Sequence, residues 1–412
     1  MTEKNTSGEK IPAKQRLKEI AEKVTREAWE AKKRGEKIGW CASNFPQEIT
    51  TTMGIPVVYP ENHAAAVGAK GGGQRMCEYA ESMGYSSDLC SYSCINFAFT
   101  DIGECQELNI PLPDFLLCCN NICNCMIKWY ENLAFKLDIP LLLIDIPRLS
   151  NFTCDDDRIR YIRAQFDDCI LKLQEITGKT WDEEKFKKVM DISLRSSKAW
   201  LKAVDYAKYV PSPYSGFDIF NNMAVACVAR GTEEAAEAFE QLAEEYEANV
   251  KNGITTFKGE EKYRVLFEGI ACWAYLGFTY RTLRDFGINI TSTIYGPAFS
   301  FLYQNVDELM AAYSYVPNCN CFEREVELRV KDAIAKKVDG AIIHMNRSCK
   351  NWSGKLYELE RQLRLQAGIP TVVFDGDQCD PRAFSEAQFI TRIKALIEIM
   401  EENRRKKEEL NE

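Results

Sequence analysis

Four cysteines are crowded into residues 118–125, within the segment LLCCNNICNCMIKWYENL. Thiols at this density could ligate zinc, hold an iron–sulfur cluster, form a disulfide or serve as small packing groups. Cys118 and Cys119 end an apolar run that predicts a buried strand. Cys123 stands where a helical pattern begins, and the backbone N–H groups there favour a thiolate. Spacing alone leaves the four uses open.

The composition of the chain limits which of these uses of cysteine are plausible. Its 412 residues include 17 cysteines but only two histidines, His63 and His344, which disfavours a histidine-ligated zinc enzyme and leaves thiolates as the obvious metal ligands. A formal net charge of −9 argues against nucleic-acid binding. We find no secretory leader and no apolar run of about 18 residues that could span a membrane. We therefore expect a cytoplasmic protein. In that compartment disulfides are disfavoured, so metal binding or redox chemistry becomes a more plausible role for the cysteines.

Two further cysteines lie in polar segments and could join a metal site. Cys90 follows Asp88 in GYSSDLCSY, and Cys349 ends HMNRSC. Neither belongs to a Cys-x-x-Cys pair, so a local zinc ribbon or ferredoxin loop is excluded. On spacing alone, ordinary thiols are favoured over a site built from distant cysteines. We expect packing roles within helices for Cys77, Cys169 and Cys227, and loop positions for Cys154, Cys319 and Cys321.

Eight short apolar runs alternate with helical patterns and predict the strands that must position these residues. Such alternation indicates parallel sheets joined by crossover helices. The expected fold class is therefore α/β, with two similar halves of four parallel strands around central helices. We place an N-terminal helical segment at 1–36, a first α/β domain at 37–150, a mainly helical insert at 151–255 and a second α/β domain at 256–412. The predicted strands span 37–43, 55–62, 113–119, 139–147, 263–273, 288–296, 340–349 and 370–378.

Residues typical of helix starts and ends predict three of the helices. One amphipathic helix is predicted at 14–34, with a basic last turn and an end at Gly35. Another begins at Thr232 and ends at Gly253. A final helix begins at Ser385, which opens a Ser-x-x-Gln capping box.

Polar residues gather where the predicted strands end. Ligands of open parallel sheets bind at the carboxyl edge, because crossover loops and helix N-termini meet there. Two such edges facing each other predict a cleft between the α/β domains. Glu61, in YPENHAA, could serve as an acid or base, or only as an acid at a helix N-terminus. The polar positions at strand ends are Ser43, Glu61, Cys118 to Cys123, Asp145, Glu268, Cys272, Tyr295, His344 to Cys349 and Asp375 to Asp380.

Seven motifs occur in order along the chain: GWCASNFPQEI, VVYPENHAA, PDFLLCCNNICN, IKWYENLA, EGIACWAYLG, HMNRSCK and DGDQCDPRAFSEAQF. Together they resemble the α subunit of the 2-hydroxyacyl-CoA dehydratases, oxygen-sensitive enzymes of anaerobic amino-acid fermentation. The resemblance runs from about residue 15 to about residue 400 and extends more distantly to benzoyl-CoA reductase subunits. It implies two flavodoxin-like domains with an iron–sulfur cluster between them.

The resemblance implies a [4Fe–4S] cluster held by Cys90, Cys123 and Cys349, with one iron not ligated by cysteine. Cys118 and Cys119 would then be neighbours of the cluster. The implied reaction removes water from an (R)-2-hydroxyacyl-CoA, phenyllactyl-CoA or another aryl-lactyl-CoA, and yields the 2-enoyl-CoA. Because no adjacent carbonyl acidifies the C3 proton, side-chain bases tuned near neutrality do not suffice. The family adds one electron to the thioester carbonyl, and the resulting ketyl radical expels the 2-hydroxyl, while the open iron can bind substrate oxygen.

Further roles and partners follow from the same resemblance. Ser43 would contact the substrate hydroxyl and Glu61 would handle the proton, while His344 and Asn346 would support the site. The implied partners are a homologous β subunit with its own cluster and a separate ATP-hydrolysing iron–sulfur activator. An ATP-driven reductase component acting on an acyl-CoA or another small molecule is the alternative function. A cysteine-rich electron carrier without enzymatic activity is a third hypothesis.

The chain departs from the family pattern at four positions. Cys94, in SYSC, stands where family members commonly have arginine, and Ala274 replaces a usual proline. Cys125 and Cys379 replace residues expected to be glutamine-like and alanine- or threonine-like. Loss of an arginine near the cluster could alter its potential or the contacts to substrate, so these departures bear on which substrate is used.

Overall fold

Two parallel sheets organise the computed structural model, which describes residues 11–411. The strands are β1 Gly39–Cys41, β2 Val57–Val58, β3 Phe115–Cys119, β4 Leu141–Ile144, β5 Tyr263–Glu268, β6 Ile288–Thr293, β7 Gly340–Asn346 and β8 Thr371–Gly376. Their orders are β2-β1-β3-β4 and β6-β5-β7-β8, and all neighbouring strands run parallel. Each sheet thus has the flavodoxin-like order, with a switch point between its first and third strands. The predicted α/β class with two four-stranded parallel sheets is confirmed.

Helices cover both sheets and fill the segment between them. They are α1 Ala13–Lys33, α2 Gln47–Met53, α3 Pro60–Ala69, α4 Gly73–Ser82, α5 Ser91–Ile102, α6 Asn124–Leu137, α7 Asp156–Thr177, α8 Glu183–Asp205, α9 Phe217–Val228, α10 Glu233–Asn252, α11 Leu276–Asp285, α12 Tyr295–Ala298, α13 Val306–Ser314, α14 Phe322–Ala335, α15 Lys350–Ser353, α16 Leu356–Ala367 and α17 Glu386–Asn411. None of the helices between residues 11 and 411 is long and apolar enough to cross a lipid bilayer.

The predicted helix ends are confirmed where capping residues set them. Gly35 takes a positive φ of 78° just after α1, a conformation that glycine adopts without strain. The Thr232 side chain accepts a hydrogen bond from Ala235 N and so begins α10. Gly253, with φ 63°, ends that helix.

The described residues of 151–255 contain helices and no strand. The boundaries of the predicted segments, at 36, 150 and 255, stay predictions. Part of the first segment, residues 1–10, lies outside the described residues.

A buried ion pair fastens α14 to the second sheet. Arg329 of α14 donates from Nε and Nη2 to both carboxylate oxygens of Glu268, the last residue of β5, at 2.8 Å each. Both side chains are almost completely buried. The two side chains of such a bidentate buried pair depend on each other, because water cannot solvate either charge if its partner is removed.

Arg329→Met is expected to lower the free energy of unfolding by about 3–5 kcal/mol, because it leaves the Glu268 carboxylate buried without its partner. Urea unfolding measures the change. The exposed-site control Arg361→Met, which removes a pair with Glu358, should change stability by less than about 0.5 kcal/mol. Equal stability loss in the two variants would contradict the importance of the buried pair.

Candidate active site

A cavity of about 400 Å³ lies where the carboxyl ends of the two sheets face each other. It is the cleft that the strand pattern predicts, and it sits at the topological switch points of both sheets. Asp145, after β4, is an exception: its carboxylate accepts a hydrogen bond from Tyr161 Oη at 2.8 Å and does not line the cavity. Residues after the other seven strands line it: Asn44 after β1, Glu61 after β2, Ile122 after β3, Gly269 after β5, Ile294 after β6, Cys349 after β7 and Gln378 after β8.

The three cysteines implied as iron ligands line this one cavity. Cys90, Cys123 and Cys349 come from three separate segments, and none is in a disulfide. Cys90 immediately precedes α5, Cys123 precedes α6 and Cys349 precedes the short α15. The free amide groups of a first helical turn stabilise negative charge. The helix starts therefore lower part of the cost of placing thiolates, and an anionic group bound to them, at these three buried positions.

The surroundings keep these thiols protonated while no cation is near. A hydrogen bond with Cys125, together with burial, raises the pKa of Cys90. Burial raises the pKa of Cys123 to about 12 and also raises that of Cys349. Metal binding must therefore displace protons from the thiols, as it does at other thiolate sites.

This donor set fits an iron–sulfur cluster better than a single metal ion. Within residues 11–411, no group of three or more histidine, cysteine or carboxylate side chains is arranged to hold one metal ion. A [4Fe–4S] core binds its thiolates at different irons, so its ligands surround a larger body and need not converge on one point. Three thiols from remote segments around one cavity meet that requirement in donor chemistry and in placement.

Hydrogen bonds join the three cysteine segments to one another. Ser91, next to the first cysteine, donates its backbone N–H to Ser348 Oγ at 3.2 Å, across 257 residues of sequence. Asn351, in α15, donates from Nδ2 to the carbonyl oxygen of Ile122 at 2.9 Å. These contacts fix the spacing of the segments without using the cysteine side chains.

Gln378 supports one of the three sulfurs directly. Its side chain is buried and donates from Nε2 to Cys90 Sγ at 3.0 Å. Asn346 donates to Gln378 Oε1, so the side-chain amide of Gln378 is bonded at both its nitrogen and its oxygen, and the Gln378 backbone carbonyl accepts from Trp273 N at 2.9 Å. Hydrogen bonds to ligand sulfurs are one of the factors that set a cluster's reduction potential.

Ser43 and Glu61, the two residues implied in catalysis, form a hydrogen-bonded pair on the cavity wall. Ser43 donates from its backbone N at 3.1 Å and from Oγ at 2.8 Å, both to Glu61 Oε1. Tyr130 Oη lies 3.5 Å from Glu61 Oε2. The pair comes together because β1 and β2 are adjacent in the sheet and both residues follow their strands.

Burial raises the pKa of Glu61 above its ordinary value, although the hydrogen bonds from Ser43 act in the opposite direction. Glu61 is the second residue of α3, where the helix N-terminus orients the side chain. A carboxyl group whose pKa is raised by burial holds its proton more firmly than an exposed one, which is a common property of catalytic acids and bases. Both alternatives, an acid–base residue and an acid at a helix N-terminus, therefore stay predictions for Glu61.

Apart from Glu61, the cavity wall carries no acidic or basic side chain among the described residues. Large apolar groups form much of the remainder: Met126, Trp129, Phe220, Trp273, Leu276 and Phe299. Such a wall suits an uncharged, bulky ligand group, because an unpaired charge is costly to bury.

His344 and Asn346 lie behind the cavity wall. His344 is fully buried, with Nε2 3.2 Å from Cys272 Sγ, and burial lowers its pKa, so its imidazole is neutral at pH 7. The Asn346 side chain reaches Cys90 through Gln378, and the Asn346 backbone carbonyl accepts a hydrogen bond from Cys349 N at 3.2 Å. Neither residue lines the cavity, so any role of either residue is to position other groups.

Except for Cys154, which is half-buried in a loop away from the cavity, the remaining cysteines divide into two groups. Cys125 and Cys227 line the cavity, whereas the sequence had assigned Cys227 to packing. Sequence reasoning included Gln378 only as one of the polar residues 375–380 after the last strand, and it gave neither Gln378 nor Cys125 a role of its own. The only sequence signal for either is its nearness to a strand end or helix start. Buried away from the cavity are Cys41, Cys77, Cys94, Cys105, Cys118, Cys119, Cys169, Cys272, Cys319, Cys321 and Cys379.

Comparisons with known proteins match nearly the whole chain. The family model for "2-hydroxyglutaryl-CoA dehydratase, D-component" matches residues 42–400. The (R)-phenyllactyl-CoA dehydratase alpha subunit of Clostridium sporogenes is 60% identical over 400 residues, covering 97% of this chain and 98% of the relative. The (R)-2-hydroxyisocaproyl-CoA dehydratase alpha subunit of Clostridioides difficile is 47% identical over 381 residues, covering 92% and 93%. A benzoyl-CoA reductase subunit of Thauera aromatica is 24% identical over 368 residues, covering 84% of each chain.

Proposed function

The chain belongs to the 2-hydroxyglutaryl-CoA dehydratase D-component family, and on that premise we propose that it is the α subunit of an (R)-2-hydroxyacyl-CoA dehydratase. The reaction removes the C2 hydroxyl and a C3 proton as water and yields the 2-enoyl-CoA. The observation that carries the proposal is the meeting of Cys90, Cys123 and Cys349 with the Ser43–Glu61 pair around one cavity.

The proposed substrate is phenyllactyl-CoA or another aryl-lactyl-CoA. The apolar part of the wall, including Trp129 and Trp273, suits an aryl side chain, and the cavity of about 400 Å³ is large enough for one. A substrate with a side-chain carboxylate would find no basic partner among the described residues of the wall. The 60% identity to the phenyllactyl-CoA relative points the same way.

Phenyllactyl-CoA is expected to be dehydrated with a kcat/KM at least about 100-fold above that of 2-hydroxyglutaryl-CoA. Burying the unpaired carboxylate of the second substrate costs several kcal/mol, and each 1.4 kcal/mol is about tenfold. Anaerobic assays with both thioesters, in which enoyl-CoA formation is followed, measure the ratio. Comparable kcat/KM values for the two substrates would contradict the proposal that the substrate carries an uncharged side chain.

The proposed cofactor is a [4Fe–4S] cluster on Cys90, Cys123 and Cys349, with one iron not ligated by cysteine. When bound, it supplies an electron and a Lewis-acidic iron to the thioester, the ketyl chemistry by which the 2-hydroxyl can leave. Gln378 holds the Cys90 sulfur by its hydrogen bond.

Ser43 and Glu61 act on the hydroxyl and the proton in this proposal. Ser43 Oγ can donate to the substrate hydroxyl oxygen, while its backbone N–H continues to orient Glu61. Glu61 carries the proton, since its carboxyl group lies on the cavity wall beside Ser43 and burial raises its pKa above the ordinary value. Apolar side chains around the pair limit access of water to the reacting carbons.

The proposed partners are a homologous β subunit, in a heterodimer or larger complex, and an ATP-dependent iron–sulfur activator. Relatives named as alpha subunits support the first. The complex would act in the cytoplasm.

Anaerobic reconstitution of the chain with its β subunit, the activator and ATP tests the proposal. We expect phenyllactyl-CoA to give 3-phenylprop-2-enoyl-CoA, a product at the oxidation level of the substrate. A reduced product would instead support the alternative, an ATP-driven reductase component, to which the 24% identity with a benzoyl-CoA reductase subunit gives weaker support. No conversion of any (R)-2-hydroxyacyl-CoA by the complete system would contradict the dehydratase.

A further inference from the structure

A second depression, here called the α1 groove, runs beside the cavity. It has a volume of about 1260 Å³ and lies between one face of α1, the end of β2, α3 and α9. α1 borders it from Lys14 to Lys33, nearly the whole helix, which at about 1.5 Å per residue gives a groove about 30 Å long. The ligand for this groove must therefore be long.

The α1 groove meets the active-site cavity between α3 and α9. Asn62 and Ala66 of α3, and Asn221 and Ala224 of α9, line both spaces. The two alanines leave space for a chain to pass, and the two asparagines place amide groups at the junction. The junction thus offers donors and acceptors to a slender, amide-containing chain.

The charge of the α1 groove is opposite to that of the protein. Five basic side chains line it against two acidic ones, although the chain has a formal net charge of −9. Arg26 makes no ion pair or hydrogen bond within the described residues. Lys70 donates only to the backbone oxygen of Glu107, at 2.9 Å. These two cations therefore remain free of carboxylate partners and can bind an anion.

An aromatic ring lies at the same end of the groove as these cations. Trp29 follows Arg26 by one turn of α1, and its Nε1 donates to Asn109 O at 3.2 Å. Lys70 contacts the same loop two residues earlier, at Glu107. Two unpaired cations beside a half-exposed indole form a combination that can bind phosphates and stack a purine.

From these observations we propose that the α1 groove binds the coenzyme A part of the substrate. The 3′-phosphoadenosine diphosphate lies on Arg26, Lys70 and Trp29. The pantetheine arm, which contains two amides, passes between α3 and α9 and delivers the thioester to the cavity. This inference rests on the proposed function only in that the substrate is a CoA thioester.

Direct binding to the anaerobic α–β complex tests the inference with two probes, unacylated coenzyme A and pantetheine. Arg26→Glu combined with Lys70→Glu is expected to weaken coenzyme A binding by about 30-fold or more, an effect that diminishes at high salt. Pantetheine, which lacks the phosphates, should bind the variant and the unchanged protein equally. The matched control, Lys128→Glu with Lys172→Glu, makes the same change in net charge on exposed helix faces outside the groove and should leave both affinities unchanged.

Unchanged coenzyme A affinity in the groove variant would overturn the inference. So would weakened association with the β subunit without loss of coenzyme A binding, because the groove would then be a subunit contact. Binding is measured without turnover, so the two proposals fail separately. Loss of coenzyme A affinity in a system that dehydrates nothing supports the groove and contradicts the reaction. A groove variant that still dehydrates the substrate and keeps its coenzyme A affinity supports the proposed reaction and contradicts the role of the groove.

Discussion

Replacement of Cys123 by serine is expected to remove the iron–sulfur cluster and to lower dehydration by well over about 100-fold, because even residues that only support metal ligands cost about 10–100-fold. Cys90→Ser and Cys349→Ser should act alike, since all three sulfurs line the same cavity from separate segments. Iron and acid-labile sulfide per chain, measured after anaerobic purification of the α–β complex, report the loss independently of activity, once the β-subunit cluster is subtracted.

Cys125→Ser is the sharpest control, because Cys125 lines the same cavity two residues after Cys123. If three cysteines hold the cluster, this variant keeps its full iron content. Cys154→Ser, in a loop away from the cavity, should also be unaffected. Iron loss in Cys125→Ser equal to that in Cys123→Ser would show a fourth thiolate ligand and would leave no iron open to substrate.

Replacement of Glu61 by glutamine is expected to lower kcat by about 10²–10⁴-fold, the usual contribution of a positioned acid–base group. Glutamine retains an oxygen that can accept both Ser43 hydrogen bonds but cannot exchange a proton at neutral pH. Cluster content should not change. The matched control is Glu131→Gln on the exposed face of α6, which should keep full activity.

The same substitution is expected to leave the fold as stable or more stable at pH 8. Burial raises the pKa of folded Glu61 above the ordinary value of 4.5, so between these values the folded chain holds a proton that the unfolded chain has lost. The stability that this proton contributes is therefore complete when the pH is below the ordinary pKa of Glu61, and it is lost as the pH rises through the raised pKa of the folded state. Glutamine removes this dependence. Urea unfolding of both proteins at pH 4.5 and pH 8 measures it, and a Glu61→Gln variant that is inactive because it is unfolded would contradict the catalytic assignment.

Local patterns in the sequence predicted the parts of the fold that depend on neighbouring residues. The eight apolar runs gave eight strands, and Thr232, Gly35 and Gly253 set helix ends as expected. Strand burial and helix capping involve residues a few positions apart, so they leave a signal in one sequence. The candidate ligands and the Ser43–Glu61 pair came from the resemblance, since spacing alone left the cysteines ambiguous.

Contacts between distant segments were decided only by the tertiary structure. Ser91 reaches Ser348 across 257 residues, and the packing of two separate sheets brings Cys90, Cys123 and Cys349 to one cavity. Periodicity reports that a strand is buried but not which strand or loop faces it, so it could not exclude Cys118 or include Gln378. For His344 the sequence predicted its position at a strand end, but only the structure showed that its side chain points toward Cys272. The sequence determined the elements and the chemistry available at their ends, whereas the packing of the two sheets and the helices between them determined which of those ends meet.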